Sequence, residues 1–228
     1  MKDLDILYED NHIIAVNKSC SDIVQGDQTG DEPLSEKVKA YIKKKYDKPG
    51  DVFLGVVHRL DRPVSGVVIF ARTSKALSRM NKMFQDKEVK KTYWAIVAEL
   101  PKDEEAELRH YILKNSEKNK SYAFPKERSG SKLAILNYRL ASGLKNSYLL
   151  EVNLQTGRHH QIRCQLAKIG CPIRGDLKYG FPRSNKGGGI SLHARRIEFV
   201  HPVKKERIVI VAPTPEHENI WKEFSNVM

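Results

Sequence analysis

The segment His58-Arg59-Leu60-Asp61-Arg62-Pro63-Val64-Ser65-Gly66 sets one carboxylate between two guanidinium groups, and Pro63 and Gly66 punctuate the backbone around it. Positive charge on both sides favours an ionised Asp61, and an ionised carboxylate is a usable nucleophile or general base. The same residue types also build an ordinary turn in which an aspartate bonds local N–H groups, so Asp61 alone leaves both roles open. A second dense segment, LQTGRHHQIRCQLAKIGCPIRGDLKYG at 154–180, gathers arginines, paired histidines, glutamine and glycines. A helix starting at 158 to 160 puts Arg163 about one turn after His159 and His160, within bidentate reach of a carboxylate, which makes it a candidate partner for Asp61.

Other chemistries fit the sequence less well. His58, His159, His160 and His193 could in principle hold zinc or iron, but adjacent helical residues point about 100° apart and no H-E-x-x-H pattern occurs, so no metal is expected. The glycines at 187–189 lack both the P-loop and the dinucleotide-binding spacing and read as a surface loop. No G-x-S-x-G elbow surrounds Ser65, and Cys20, Cys164 and Cys171 show no C-x-x-C spacing, which excludes a disulfide framework or zinc ribbon and suits a reducing cytoplasm.

Elements able to position these residues are legible in the periodicity. Leu4 to Tyr8 and His12 to Val16 read as an opening hairpin, followed by a polar loop from 19 to 32. Leu34, Val38, Tyr41 and Ile42 recur at helical spacing after Pro33, and Asp47-Lys48-Pro49-Gly50 breaks that helix. Phe53 to Val57 and Val67 to Ala71 are buried-strand candidates that display the 58–66 segment between them. Ser74 caps a helix through Asp86 with Leu77, Met80, Met83 and Phe84 inward, and Thr92 to Ala98 follows as a strand. Strands at 106–113, 132–140 and 147–154 come without intervening helices, which predicts a mixed, largely antiparallel sheet with flanking helices, an α+β fold. His159 to Ile169 reads as a helix ended by Gly170, 170–189 as loop, Ser191 to Val200 and Arg207 to Val211 as strands, and Pro215 to Phe224 as a closing helix.

The 228 residues carry a formal net charge of +12, an excess that draws polyanions such as nucleic acid or an acidic membrane face. The run Lys43-Lys44-Lys45 fits a solvated helix face equally well. The N-terminus MKDLDILYEDNH has acidic residues where a signal peptide carries an apolar core, and no stretch approaches the ~18 apolar residues of a membrane span. A cytoplasmic protein with no membrane partner is expected.

Four blocks carry a family resemblance: VHRLDRPVSGVVIFARTSKA, KKTYWAIV, TGRHHQIRCQLAKIGCPIRGDLKYG and LHARRIEFVHP. In this order they resemble the RluA-type pseudouridine synthases, from the opening hairpin to about residue 202. The resemblance implies the pseudouridine synthase fold with a central basic cleft, and isomerisation of uridines in RNA without a cofactor. It implies Asp61 as the catalytic aspartate, Tyr93 stacking on the target uracil, and Arg163 paired with Asp61. Arg59 matches the arginine that fills the space of the flipped-out base, and Leu192 matches a hydrophobic residue lining the pocket. Departures occur at Val64 and His159, where relatives usually have threonine, and at Ser19-Cys20-Ser21, which puts an N-terminal loop contact in doubt. The expected substrate is a structured stem-loop of ribosomal or transfer RNA. Residues 1–228 are expected to form a single catalytic domain with no S4-like domain before it, acting as a monomer. A non-catalytic RNA-binding protein is the main rival, and a metal-dependent nuclease lacks the carboxylate cluster for two ions.

Overall fold

The computed structural model describes residues 4–215 and 219–225, so the first residues of the expected 215–224 helix lie partly outside the described residues. Contacts divide the chain into two compact units, residues 1–90 with 194–213, and residues 91–193 with 214–228.

The first unit begins with β1 (Ile6–Glu9) and β2 (Ile13–Lys18), an antiparallel hairpin. The Asp10 carboxylate accepts the N–H groups of His12 (2.8 Å) and Ile13 (2.9 Å), the Asx-type bonding that makes this sequence turn. Helix α1 (Leu34–Lys45) buries Leu34, Val38 and Ile42, three of the four residues whose spacing announced it. β3 shrinks to Gly55–Val56, whereas β4 (Ser65–Ala71) is buried along its whole length. β4 pairs antiparallel with β2 from Ile13↔Ala71 to Lys18↔Gly66, and β3 also lies against it. Helix α2 (Ser74–Gln85) is capped by Thr73, whose Oγ1 accepts the Ala76 N–H at 3.1 Å, one residue before the expected cap. Thr73 takes that role because its backbone is still extended (φ −138°, ψ 150°), as a cap must be. β10 (Leu192–Val200) lies beside β4 and carries β11 (Arg207–Val211) antiparallel.

The second unit holds β5 (Lys90–Val97), β6 (Glu105–Asn115), β7 (Lys120–Phe124), β8 (Lys132–Leu144) and β9 (Ser147–Leu154), in the order β5-β9-β8-β6-β7 with antiparallel neighbours throughout. The largely antiparallel α+β architecture expected from consecutive strands is therefore the observed one. β7 was not anticipated; its five residues are too short and polar to stand out, and pairing with β6 makes the strand. Helix α3 (Gln161–Lys168) packs near β6 and β7, and Gln165, fully buried, ties it to the sheet by donating to the Leu108 carbonyl at 3.1 Å. Helix α4 (Asn219–Ser225) inserts Trp221 and Phe224 into a cluster with Trp94, Ile96 and Leu149. No helix among the described residues is long and apolar enough to cross a membrane.

Candidate active site

In the first unit, the segment between β3 and β4 carries Asp61 half-buried and Arg59 exposed. The Asp61 carbonyl accepts the Val64 N–H at 3.0 Å, closing a turn around Arg62 and Pro63. Every side of this turn is fastened. His58 Nε2 accepts the Ile69 N–H of β4 at 3.0 Å while its ring stacks on Phe84 of α2 at 5.1 Å, so the imidazole serves as a neutral acceptor. Ser21 N–H donates to the Arg62 carbonyl at 3.0 Å, and the exposed Arg62 guanidinium meets Asp31 at 2.6 Å. Gly66, at φ +115°, lies so close to Ala194 that any Cβ would overlap its backbone, a conformation and an approach only glycine permits.

The strongest fastening is Lys18, at the end of β2 and 1% exposed. Its ammonium donates to the carbonyls of Ser19 (2.9 Å), Arg62 (3.0 Å) and Val64 (2.7 Å), using all three of its N–H bonds. Burial lowers its pKa to about 8, while the negative charges of Asp22 and Asp61 among others work in the opposite direction. The sequence reading assigned Lys18 no role. The available signal was its register: on the period-2 face of the strand it follows Ile14 and Val16, an inward position at which a lysine needs partners.

In the second unit, Tyr93 is 9% exposed on β5, opposite Val152 of β9, and Leu192 is buried at the start of β10. Arg163, on α3, is 4% exposed and paired with Asp176 in a fork: Nε to Oδ2 at 2.7 Å and Nη2 to Oδ1 at 2.9 Å. The helix starts at Gln161 rather than His159 because His160 is left-handed (φ 53°). That conformation overturns the expected divergence of the two histidines, whose rings stack at 3.8 Å. His159 reaches Ser121 Oγ (2.8 Å) through Nδ1 and Asn119 (3.1 Å) through Nε2, and His160 Nδ1 lies 2.9 Å from the Tyr179 hydroxyl. Burial, then the nearby Arg163 charge, lower the His160 pKa to about 2, so the ring is neutral. Gln161 holds the start of α3 by accepting from Thr156 Oγ1 (2.8 Å) and the Arg158 N–H (2.9 Å). Among the described residues, no three of His, Cys, Asp and Glu gather as metal ligands.

Residues 12–168 match the RNA pseudouridylate synthase family, a stretch holding Arg59, Asp61, Tyr93 and Arg163. The chain belongs to this family. Its members are isomerases acting on RNA uridines. Ribosomal large subunit pseudouridine synthase C of Buchnera aphidicola is 32% identical over 91% of this chain and 66% of that protein, so the chain spans just under two thirds of that relative. tRNA pseudouridine synthase C of Vibrio vulnificus is 32% identical over 97% of this chain and 94% of its own length. The solved structure of human RNA pseudouridylate synthase domain containing 4 shares the fold, with a TM-score of 0.80 at 22% identity, covering 96% of this chain and 92% of that one.

Within the family frame, the two departures from threonine differ in consequence. Val64 stands where relatives usually have threonine, yet what fastens the turn there is its backbone: its carbonyl receives Lys18 and its N–H reaches Asp61. His159 in place of threonine extends a side chain to Asn119 in the β6–β7 turn and to Ser121 in β7, contacts that sequence alone did not suggest.

Proposed function

We propose that this chain converts uridines of ribosomal or transfer RNA to pseudouridine, with Asp61 as the catalytic carboxylate and residues 1–228 acting as one catalytic domain. The reaction breaks the N1–C1′ bond of uridine, turns the uracil and joins C5 to C1′; the C5 proton leaves and N1 gains one. Nothing is oxidised and no outside group is transferred, so a single carboxylate acting as base or nucleophile suffices. A stacked base must first leave the helix. In this reading Tyr93 stacks on the extruded uracil, Arg59 takes the place it vacates, Arg163 pairs with Asp61, and Leu192 lines the pocket. The observation that carries the reading is the fastening of the Asp61 turn by Lys18, His58 and Gly66. A solvated turn aspartate has no need of a buried ammonium beneath its backbone, whereas a catalytic carboxylate gains from being held in one geometry.

The proposal extends to a cytoplasmic monomer that recognises a stem-loop. The test is pseudouridine formation on ribosomal and transfer RNA taken from a strain lacking the gene, with wild type and Asp61→Asn in parallel. Wild type is expected to modify one of the two RNAs and the Asn variant neither. RNA bound by wild type without any pseudouridine would favour a non-catalytic RNA-binding protein.

A further inference from the structure

The segment Arg174-Gly175-Asp176-Leu177-Lys178-Tyr179-Gly180 was expected to be loop, yet it contains a built structure. Leu177–Tyr179 form one turn of 3-10 helix with Asp176 at its N-terminal cap position. Asp176 and Tyr179 flank the two central residues of this turn. Both meet Arg163. Asp176, 1% exposed, takes the Nε and one Nη2 hydrogen of the guanidinium, and the Tyr179 ring lies under it with its centroid 5.1 Å from Cζ. The turn is closed at both ends by glycines with positive φ, Gly175 at +84° and Gly180 at +98°.

Tyr179 is itself held. Its hydroxyl accepts the Ser121 N–H of β7 at 2.8 Å and is hydrogen-bonded to His160 Nδ1 at 2.9 Å. Ser121 Oγ continues to His159, which completes a circuit from β7 through the 3-10 turn to the start of α3. Arg163 is thus fixed along one edge by a carboxylate and on one face by a ring whose own position is set by a neighbouring strand. An arginine needed only for charge would not require both, since a guanidinium is charged at any physiological pH.

We infer that Asp176 is a positioning residue for Arg163: its carboxylate, with Tyr179, fixes the guanidinium plane and with it the direction of the remaining N–H groups. The inference rests on the proposed role of Arg163 in the site. Because two of the five N–H groups are committed to Asp176, Arg163 must meet any further acceptor through Nη1 or the second Nη2 hydrogen. That defines a fixed direction, and a displacement of about 1 Å in such a contact can cost on the order of a hundredfold in rate.

The test measures kcat and KM for pseudouridine formation, with RNA affinity by filter binding, on wild type, Asp176→Asn, Asp176→Glu and Arg163→Lys, each counted as folded protein by circular dichroism. Asp176→Asn keeps the shape but faces a guanidinium N–H with an amide; kcat should fall about 10- to 100-fold, with KM and RNA affinity within about threefold. Asp176→Glu keeps the ion pair but pushes the guanidinium by one methylene, and kcat should fall about tenfold with KM unchanged. If the Asn variant does not fold, the Glu variant carries the test alone. Wild-type kcat in a folded Asp176 variant, or loss of RNA affinity in step with kcat, overturns the inference. Arg163→Lys separates the two readings: if it turns over like wild type, the role of Arg163 falls, whereas an inactive Arg163→Lys beside a fully active Asp176→Asn removes Asp176 alone.

Discussion

A buried lysine beside a turn of backbone carbonyls is costly in charge and economical in hydrogen bonds, and Lys18 shows both sides. Its three donors are satisfied, but its pKa of about 8 lies below the 10.5 of an exposed lysine. The unfolded chain therefore binds the proton more tightly, so keeping Lys18 charged in the fold costs about 3 kcal/mol below pH 8, and stability rises as pH climbs from about 8 to 10.5. Lys18→Met removes this titration. In urea unfolding at pH 7.5 and pH 10, wild type should gain stability relative to the Met variant by roughly 2 kcal/mol, with other titrations common to both cancelling. An identical difference at the two pH values would mean that Lys18 is not buried as a cation. Asp61 is tested at the same scale. Asp61→Asn preserves the side-chain size and should abolish turnover while RNA binding stays within roughly tenfold, since affinity rests mainly on phosphate contacts. Collapse of binding together with turnover would show that Asp61 organises its arginines rather than reacting.

At the scale of elements, the Asp61 turn is held because β2 and β4 run side by side with Lys18 opposite Gly66. Gly66 is the residue where this pairing leaves no room: its φ of +115° and the adjacent Ala194 backbone both exclude a side chain. Gly66→Ala should cost about 3 kcal/mol through strain and displacement of β10. For a chain of this size that corresponds to a fall of roughly 10 °C in Tm. Gly50, in open space with no positive φ, provides the control, and Gly50→Ala should stay within about 0.5 kcal/mol of wild type. Equal melting of the two variants would remove the steric argument. The start of α3 follows similar logic, because left-handed His160 lets the helix begin with Gln161 bonded to Thr156 and Arg158.

For the molecule as a whole, the dominant feature is the net charge of +12. Lys75, Lys87 and Lys118 are among the cations at exposed positions. RNA binding should therefore weaken steeply with salt, with log affinity falling linearly in log salt at a slope of about −0.7 to −0.9 per phosphate contacted. Filter binding between 50 and 200 mM salt checks this, and a flat response would mean that recognition does not run through the phosphate backbone.

The local chemistry of this protein was legible without coordinates. Alternation and helical spacing located β2, β4, α1 and α2, consecutive strands without helices announced the antiparallel sheet, and the HRLD and HQIR blocks led to the family that the comparison with relatives establishes. Those signals are local, each set by residues within one element. What only the tertiary structure decided depends on groups far apart in the chain. Lys18 meets Val64 across 46 residues, Ser121 meets Tyr179 across 58, and β7 exists because β6 lies beside it. No place was foreseen for Asp176 beside Arg163, although only 13 residues separate them. No periodic pattern marks such a pair, because it is packing of α3 against a turn of 3-10 helix that removes both groups from water, and a buried charge must then find its counterpart wherever the fold supplies one.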